Sequence, residues 1–230
     1  MQKTVVVLSG GMDSATLLYH LADAGHEVKT ISVNYGQRHV RELDSAARLS
    51  EALDVENVVA DLRAINPLLG SSNSLSSTSI DIPEGHYEEE SMKLTVVPNR
   101  NMIILSVAVG WALSLKYDAV AYGAHSGDHA IYPDCRPEFA EALDRAVQLC
   151  DWHSMKLLRP FVGMDKGDIA KRGHELGVPF HLTWTCYKGL ERHCGKCGAC
   201  QERIEAFHKF DLADPVEYEA SVIAAKGPIS

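Results

Sequence analysis

Apolar residues recur along this chain in two alternating rhythms. Short unbroken runs such as Val5-Val6-Val7-Leu8 mark strands buried on both faces, and stretches with apolar residues three or four apart mark helices. The first run predicts a strand over 3–8, followed by a helix over 15–24 that Gly25 closes. A second strand is predicted over 28–33. An amphipathic helix over 39–53 carries Val40, Leu43, Ala47 and Leu53 on or near one face. Strands follow over 55–62, 119–123 and 156–158. Helices are predicted over 101–115, 137–149 and 166–176, the first apolar enough to be buried and the last ended by Gly177. Between 66 and 93 the pattern stops, in a segment of small polar residues and the acidic run Glu88-Glu89-Glu90. A stretch of that length is either a surface insert or a lid over a site. Alternation of strands and helices builds a parallel sheet covered on both faces. Ligands of such sheets lie beyond the carboxyl ends of the strands, where Ser9, Asn34 and Gly123 fall.

The stretch Ser9-Gly10-Gly11-Met12-Asp13-Ser14 joins the first strand to the first helix. Glycines let backbone N–H groups approach oxygens closely, and a helix start adds unpaired donors and partial positive charge. This is the chemistry of a phosphate site. No lysine follows the glycines, so the stretch is not the GxxxxGK[ST] loop. It resembles the SGGxDS pyrophosphate loop of the N-type ATP pyrophosphatases, which as a group cleave ATP between its α- and β-phosphates. The other reading is a plain strand–turn–helix corner.

Cys186, Cys194, Cys197 and Cys200 are separated by seven, two and two residues, inside the string His193-Cys194-Gly195-Lys196-Cys197-Gly198-Ala199-Cys200. Thiolates two residues apart can converge on one ion. By count the four suit zinc or an iron–sulfur cluster, with zinc the first choice. Disulfides are the weaker reading, since nothing else in the chain points to an oxidising compartment. Cys135 and Cys150 stand apart, and Cys150, at the end of a helical pattern, is predicted to be a small core residue.

Four more segments fall where ligands belong. Tyr35-Gly36-Gln37-Arg38-His39 follows the second strand. Arg100 stands near a helix N-terminus, where the helix dipole does not call for a cation, so it is a candidate for an anion or else a plain surface arginine. The stretch from Gly123 to Phe139 holds two His, two Asp, an Arg, a Tyr and a Phe, more recognising groups than a connector needs. A His/Asp metal site there is a weaker option. Lys166 opens the helix after Arg159-Pro160-Phe161, placed to neutralise a polyphosphate or simply to be solvated.

Composition narrows the partners. The 230 residues are 46% hydrophobic and suit one large domain or one with an appendage. The net charge of −9 and the absence of a Lys/Arg block argue against a nucleic-acid surface but not against a small anion held by placed cations. No secretory pattern is evident, and the apolar stretch 102–115 falls short of the roughly 20 residues a membrane span needs. The expectation is a cytoplasmic protein with no membrane partner, possible homodimer formation being left open.

Taken in order, the loop 9–14, the Tyr35–Arg38 turn, Pro98-Asn99-Arg100-Asn101, the string Tyr132-Pro133-Asp134-Cys135-Arg136-Pro137-Glu138-Phe139 and the four cysteines resemble the 7-cyano-7-deazaguanine synthase family of queuosine biosynthesis. The resemblance spans residues 1 to about 210, and the last two motifs are its most specific part. It implies an α/β fold with a Rossmann-like parallel sheet of the adenine nucleotide α-hydrolase type. Residues 1–180 would form the nucleotide and substrate domain, and 181–230 a small zinc-binding subdomain. The implied reaction is a C–N bond-forming ligation. It turns 7-carboxy-7-deazaguanine, ammonia and ATP into the nitrile, with one Zn²⁺ on the four cysteines and Mg²⁺ accompanying ATP. The resemblance assigns Ser9, Gly10, Gly11, Asp13 and Ser14 to the pyrophosphate and its Mg²⁺. Leu8, Met12, Ala15, Gln37 and Arg38 complete the candidate ATP site. Arg100 and Lys166 are candidates for phosphate charge and join Asp13 and Ser14 as the catalytic set. Tyr35, His125, Asp128, Tyr132, Asp134, Arg136 and Phe139 are candidates for reading the deazaguanine. Three alternatives remain at this point: an adenylating relative that joins the same carboxylate to another amine, a tRNA sulfur-transfer enzyme, and a zinc module for partner binding on a degenerate nucleotide fold.

Overall fold

The computed structural model describes residues 1–69, 73–77, 79–85 and 90–219. Five parallel strands form one sheet in the order β3-β2-β1-β4-β5. They are β1 (Lys3–Val7), β2 (Glu27–Asn34), β3 (Asn57–Asp61), β4 (Ala119–Ala121) and β5 (Lys156–Leu158). The helices are α1 (Met12–Asp23), α2 (Arg41–Ala52), the single turn α3 (Asn66–Leu69), α4 (Arg100–Ser114), α5 (Pro137–Val147), α6 (Lys166–Glu175) and α7 (Gly198–His208). The chain lays strands outward from β1 to β3 and then crosses back to β4. The gap between β1 and β4 is therefore the point where the strand order reverses, the usual ligand crevice of an open parallel sheet.

Successive residues of β1 face opposite layers. Val5 joins Val120 and Leu157 in a core closed by Leu105 and Ala108 of α4 and by Ala140 and Leu143 of α5. Val6 joins Ala121 in a second core closed by Leu17 and Leu18 of α1, Leu49 of α2, Ile169 of α6 and Phe207 of α7. Each such fully buried aliphatic side chain stabilises the fold by about 1.5–3 kcal/mol. A third, smaller core packs Val33, Tyr35, Leu75 and Val97 against the four cysteines.

Three differences from the sequence pattern have physical causes. The buried face of α2 is Ser45, Ala46, Leu49 and Ser50, while Val40 is exposed and caps the helix from outside it. Serine hides this face from a hydrophobic count, because Ser50 Oγ satisfies itself on Ala46 O and Thr30. Helix α4 is buried on one face only, through Leu105, Ala108, Val109 and Ala112. By length and composition the helical stretch Glu90–Ser114 could cross a membrane. Asn99, at φ 58°, interrupts it, and α4 packs on β1 and β4 as a core helix. Cys150 is exposed rather than in the core, because α5 ends at Val147 and the next residues turn away.

Helix α7 has no counterpart in the apolar pattern. Its buried residues, Ala199, Cys200, Arg203, Ala206 and Phe207, have helical spacing, but a cysteine and an arginine occupy two of the core positions. The polar segment after β3 is partly packed down. Asn73 accepts from the backbone of Leu75 and Ser76, and Arg38 donates to Ile80 O at 2.9 Å. Glu84 pairs in a single antiparallel bridge with Cys197. Ser71, Ser72, Thr78, Glu88 and Glu89 lie outside the described residues.

Candidate active site

The loop after β1 is shaped by backbone constraints. Gly10 adopts φ 84°, and a Cβ there would lie 2.0 Å from the Glu42 carbonyl oxygen, so only glycine fits. Trp184 N–H donates to Gly10 O at 2.9 Å and pins the loop from the C-terminal side. Ser14 Oγ accepts from Ser9 N–H at 3.2 Å and lies 3.1 Å from Ser9 Oγ. The loop is thus folded on itself, with Gly11 as the N-cap of α1.

Asp13 stands on the first turn of α1 with its Oδ2 3.3 Å from Lys166 Nζ and 3.7 Å from His125 Nε2. Its Oδ1 is buried without a hydrogen-bond partner. Lys166 is the first residue of α6, placed there by a capping box in which Asp165 accepts from Asp168 N–H at 3.0 Å. Burial disfavours its charge, but Asp13, Glu202 and Asp128 more than compensate, so its ammonium is held above the ordinary lysine range. His125 is buried and lies 3.5 Å from Asp128 Oδ2.

Asp13, Lys166 and Asp128 border a cavity of about 220 Å³ at the strand-order reversal, and His125 is not among its lining residues. Ser9, Gly11, Asp13 and Ser14 of the loop after β1 are among its lining residues. Arg100, Tyr35, Tyr122, Asp128, Tyr187 and Lys166 line it as well. Arg100 has no carboxylate partner among the described residues. It lies over the Tyr132 ring, 5.7 Å from its centroid, and its guanidinium stays charged at any working pH. Burial pushes the Tyr35 phenol up to about 12, so it remains a neutral hydrogen-bonding group. Tyr122 OH is buried and unpartnered.

Of the other candidate residues, Leu8 and Met12 also line the cavity, and Ala15, Gln37, Arg38, Tyr132, Asp134, Arg136 and Phe139 do not. Leu8, Met12 and Ala15 are buried in or next to the loop. Gln37 accepts from Tyr35 N–H and donates to Val33 O and Glu42, which fixes the turn after β2. Arg38 binds Ile80 O. Tyr132 OH lies 2.6 Å from Thr95 Oγ1. Asp134 accepts from Asn101 N–H at 2.9 Å and so caps the start of α4. Arg136 donates to His129 O, and Phe139 is half-buried against the core. Sequence reasoning missed Tyr122, Tyr187, Trp184 and Glu202. Trp184 and Tyr187 flank Cys186, and that adjacency was the available signal.

Cys186, Cys194, Cys197 and Cys200 are buried, and their Sγ atoms all lie within 4.8 Å of one another. The Cys194 and Cys200 sulfurs are 4.0 Å apart, and none of the four is in a disulfide. Backbone N–H groups of Lys196 and Cys197 point at Cys194 Sγ, at 3.4 and 3.3 Å. Such donors support thiolate charge. The donor set therefore fits a metal ion, held by four sulfurs that leave no open position.

A parallel sheet with this reversal, a Gly-Gly loop at a helix start and a closed four-cysteine site define an open α/β fold with a phosphate-type loop at its ligand crevice. Solved structures show the same fold at low identity. The U34-tRNA thiolase NcsA from Methanococcus maripaludis, solved with its [4Fe-4S] cluster, superposes with TM-score 0.51 and 17% identity over 91% of this chain and 65% of that one. NMN synthetase from Francisella tularensis gives 0.50 and 16% over 96% and 80%. The family described as queuosine biosynthesis protein QueC matches residues 3–211. The chain is 55% identical to the 7-cyano-7-deazaguanine synthase of Pseudoalteromonas atlantica over 218 residues, 95% of this chain and 99% of that one. It is 52% identical to that of Methanoregula boonei over 217 residues, 94% and 99% of the two chains. The chain belongs to this family, the 7-cyano-7-deazaguanine synthases, which are ATP-dependent ligases of queuosine biosynthesis.

Proposed function

We propose that the cavity between β1 and β4 converts 7-carboxy-7-deazaguanine and ammonia to 7-cyano-7-deazaguanine by two successive adenylations. The observation that carries this reading is the Asp13–Lys166 pair, 3.3 Å apart and beside the Ser9–Ser14 loop, with the Asp13 Oδ1 left unpartnered.

A carboxylate does not accept ammonia until one oxygen becomes a good leaving group. In the first half, a substrate carboxylate oxygen attacks the α-phosphorus of ATP and pyrophosphate leaves. Ammonia then adds to the acyl carbon and AMP leaves, giving the amide. In the second half, the amide oxygen attacks a second ATP. Loss of AMP and of the remaining N–H protons gives the nitrile, so both carboxylate oxygens depart in AMP.

The protein contributes positioning and charge complementarity. Loop N–H groups at the start of α1 hold the departing pyrophosphate. Lys166 and Arg100 offset the charge that grows on the phosphates. Asp13, with its unpartnered Oδ1, would hold the Mg²⁺ that accompanies ATP, an ion that would neutralise phosphate charge. The phenols of Tyr35, Tyr122 and Tyr187, with Asp128, face the deazaguanine. Tyr132, Asp134 and Arg136 hold the loop 123–139 in place around it.

Zinc is the ion proposed for the cysteines. Zn–S bonds of about 2.3 Å in a tetrahedron put the sulfurs about 3.8 Å apart. The Cys194–Cys200 spacing of 4.0 Å matches this single-ion geometry, whereas a cluster interposes its own irons and sulfides and spreads the thiolates. In this reading residues 1–180 bind the substrates and the chain from 181 onward holds the metal. Six cysteines without a disulfide suit a reducing cytoplasm.

The test is incubation of the metal-loaded protein with ATP, Mg²⁺, ammonium and 7-carboxy-7-deazaguanine, followed by mass analysis. The amide and then the nitrile should appear, with AMP. Absence of both products would overturn the reading.

A further inference from the structure

We propose that Glu202 is a positioning residue for Lys166 and ties the four-cysteine site mechanically to the nucleotide site. The inference rests on the reading of Lys166 as a phosphate-facing cation.

Glu202 stands on the first turns of α7, two residues beyond Cys200. Cys197 is the N-cap of that helix, so two of the four sulfur donors set where α7 begins and how it is rotated. Glu202 Oε2 accepts from Lys166 Nζ at 2.5 Å, which links α7 to a lysine that lines the cavity. The two side chains are 12% and 11% exposed. Glu202 does not line the cavity itself.

Room for the carboxylate comes from across the crevice. A Cβ on Gly127 would lie 2.9 Å from Glu202 Oε1. A side chain at residue 127 would crowd Glu202 Oε1 and force it to shift.

A lysine on a four-carbon stem has many rotamers, and fixing it costs side-chain entropy. Lys166 is fixed by a carboxylate on each side, Asp13 at 3.3 Å and Glu202 at 2.5 Å. Asp13 lines the cavity and is the partner that ATP and its cation would engage. Glu202 is out of their reach and keeps the ammonium aimed while the other partner changes. This gives the cysteine site a part in turnover without touching a reacting atom, since Cys197 and Cys200 set the start of α7 and α7 carries the carboxylate that orients Lys166.

A double-mutant cycle on the metal-loaded enzyme tests this. Glu202→Gln keeps the shape and removes the charge. Its kcat should fall about 10- to 100-fold, the range typical for outer-shell groups that orient a functional one. KM for 7-carboxy-7-deazaguanine should change less than about threefold, because uniform binding is untouched. Metal content per chain should equal the wild type. In a Lys166→Met background, Glu202→Gln should change kcat less than about twofold, since groups acting as one unit are not additive. Gly127→Ala, which crowds Glu202, is the second variant should Glu202→Gln not fold, and its loss should likewise vanish in the Lys166→Met background. The proposal is overturned if Glu202→Gln keeps wild-type kcat, or if its loss multiplies in full with that of Lys166→Met. If Lys166→Met alone keeps wild-type kcat, the underlying assignment of Lys166 fails, and that result is distinct from the other two.

Discussion

The loop 9–14 and the segment 184–203 are both rich in polar groups, but they treat those groups in opposite ways. In the segment, Arg203 is fully buried and every donor is used. Nε and NH2 bind Asp214 at 2.9 Å each, NH1 binds Thr183 and Thr185, and NH2 also reaches Phe180 O. Tyr218 OH completes the Asp214 shell at 2.6 Å. In the loop, Asp13 has a buried oxygen with no partner, and nearby Tyr122 has an unpartnered hydroxyl. Buried polar groups are nearly always satisfied in folded proteins. A region that satisfies all of them is a scaffold, and one that leaves donors and acceptors open around a cavity is waiting for a ligand.

The largest effect should come from the scaffold. Cys197→Ala should lose the metal and cost at least about 4 kcal/mol, because metal binding at such a site is folding energy. Elemental analysis should find about one zinc per wild-type chain and none in the variant. Thermal unfolding should shift down by roughly 8 °C or more at this chain size. Iron in place of zinc, or full stability without metal, would break the contrast at its strongest point.

Next comes the open region, where the loss should be in chemistry alone. Asp13→Ala should lower ATP turnover by about 10³-fold or more, the scale of losing a group that acts in the transition state, with the far-UV circular dichroism unchanged. If this variant unfolds instead, Asp13 belongs to the scaffold and the distinction fails.

Arg203→Met sharpens the scaffold side. Removing one partner of a buried pair strands Asp214 and should cost about 3–5 kcal/mol in urea unfolding. A double replacement of Arg203 and Asp214 by apolar residues should recover most of that loss, whereas an unrecovered loss would assign the arginine a role beyond its pair.

The smallest expected effect is that of Tyr122→Phe. Its hydroxyl has no partner to lose within the protein, so stability should hold within about 0.5 kcal/mol. KM for 7-carboxy-7-deazaguanine should rise about tenfold, the value of one hydrogen bond to a ligand, with KM for ATP unchanged. A loss of stability with no change in KM would place that hydroxyl in the scaffold.

The same contrast explains what the sequence made legible. Contiguous features were readable, because a strand, a glycine pair and a helix start act within a dozen residues. The sheet, the loop 9–14 and the cysteine spacing all belong to this kind. Features assembled from distant residues were not. Helix α7 hid its periodicity behind Cys200 and Arg203 at core positions. Residues of the loop 123–139 looked like recognising groups by type. The structure uses Tyr132 and Asp134 to hold the loop to Thr95 and Asn101, and Arg136 to close the loop on its own His129. Of the loop's candidate residues Asp128 lines the cavity, which also receives Tyr122 from just beyond β4 and Tyr187 from beside Cys186. Residue type was visible in the sequence, but aim depends on the neighbour each side chain meets first.

The central claim is that the open region spends ATP by adenylating the substrate carboxylate. Isotope transfer tests it most directly. The metal-loaded enzyme is given 7-carboxy-7-deazaguanine carrying ¹⁸O in both carboxylate oxygens, with ATP, Mg²⁺ and ammonium. The account predicts that each nitrile formed leaves two AMP, each with one ¹⁸O on its phosphate, and that the pyrophosphate is unlabelled. Label in inorganic phosphate, with ADP as the nucleotide product, would contradict it.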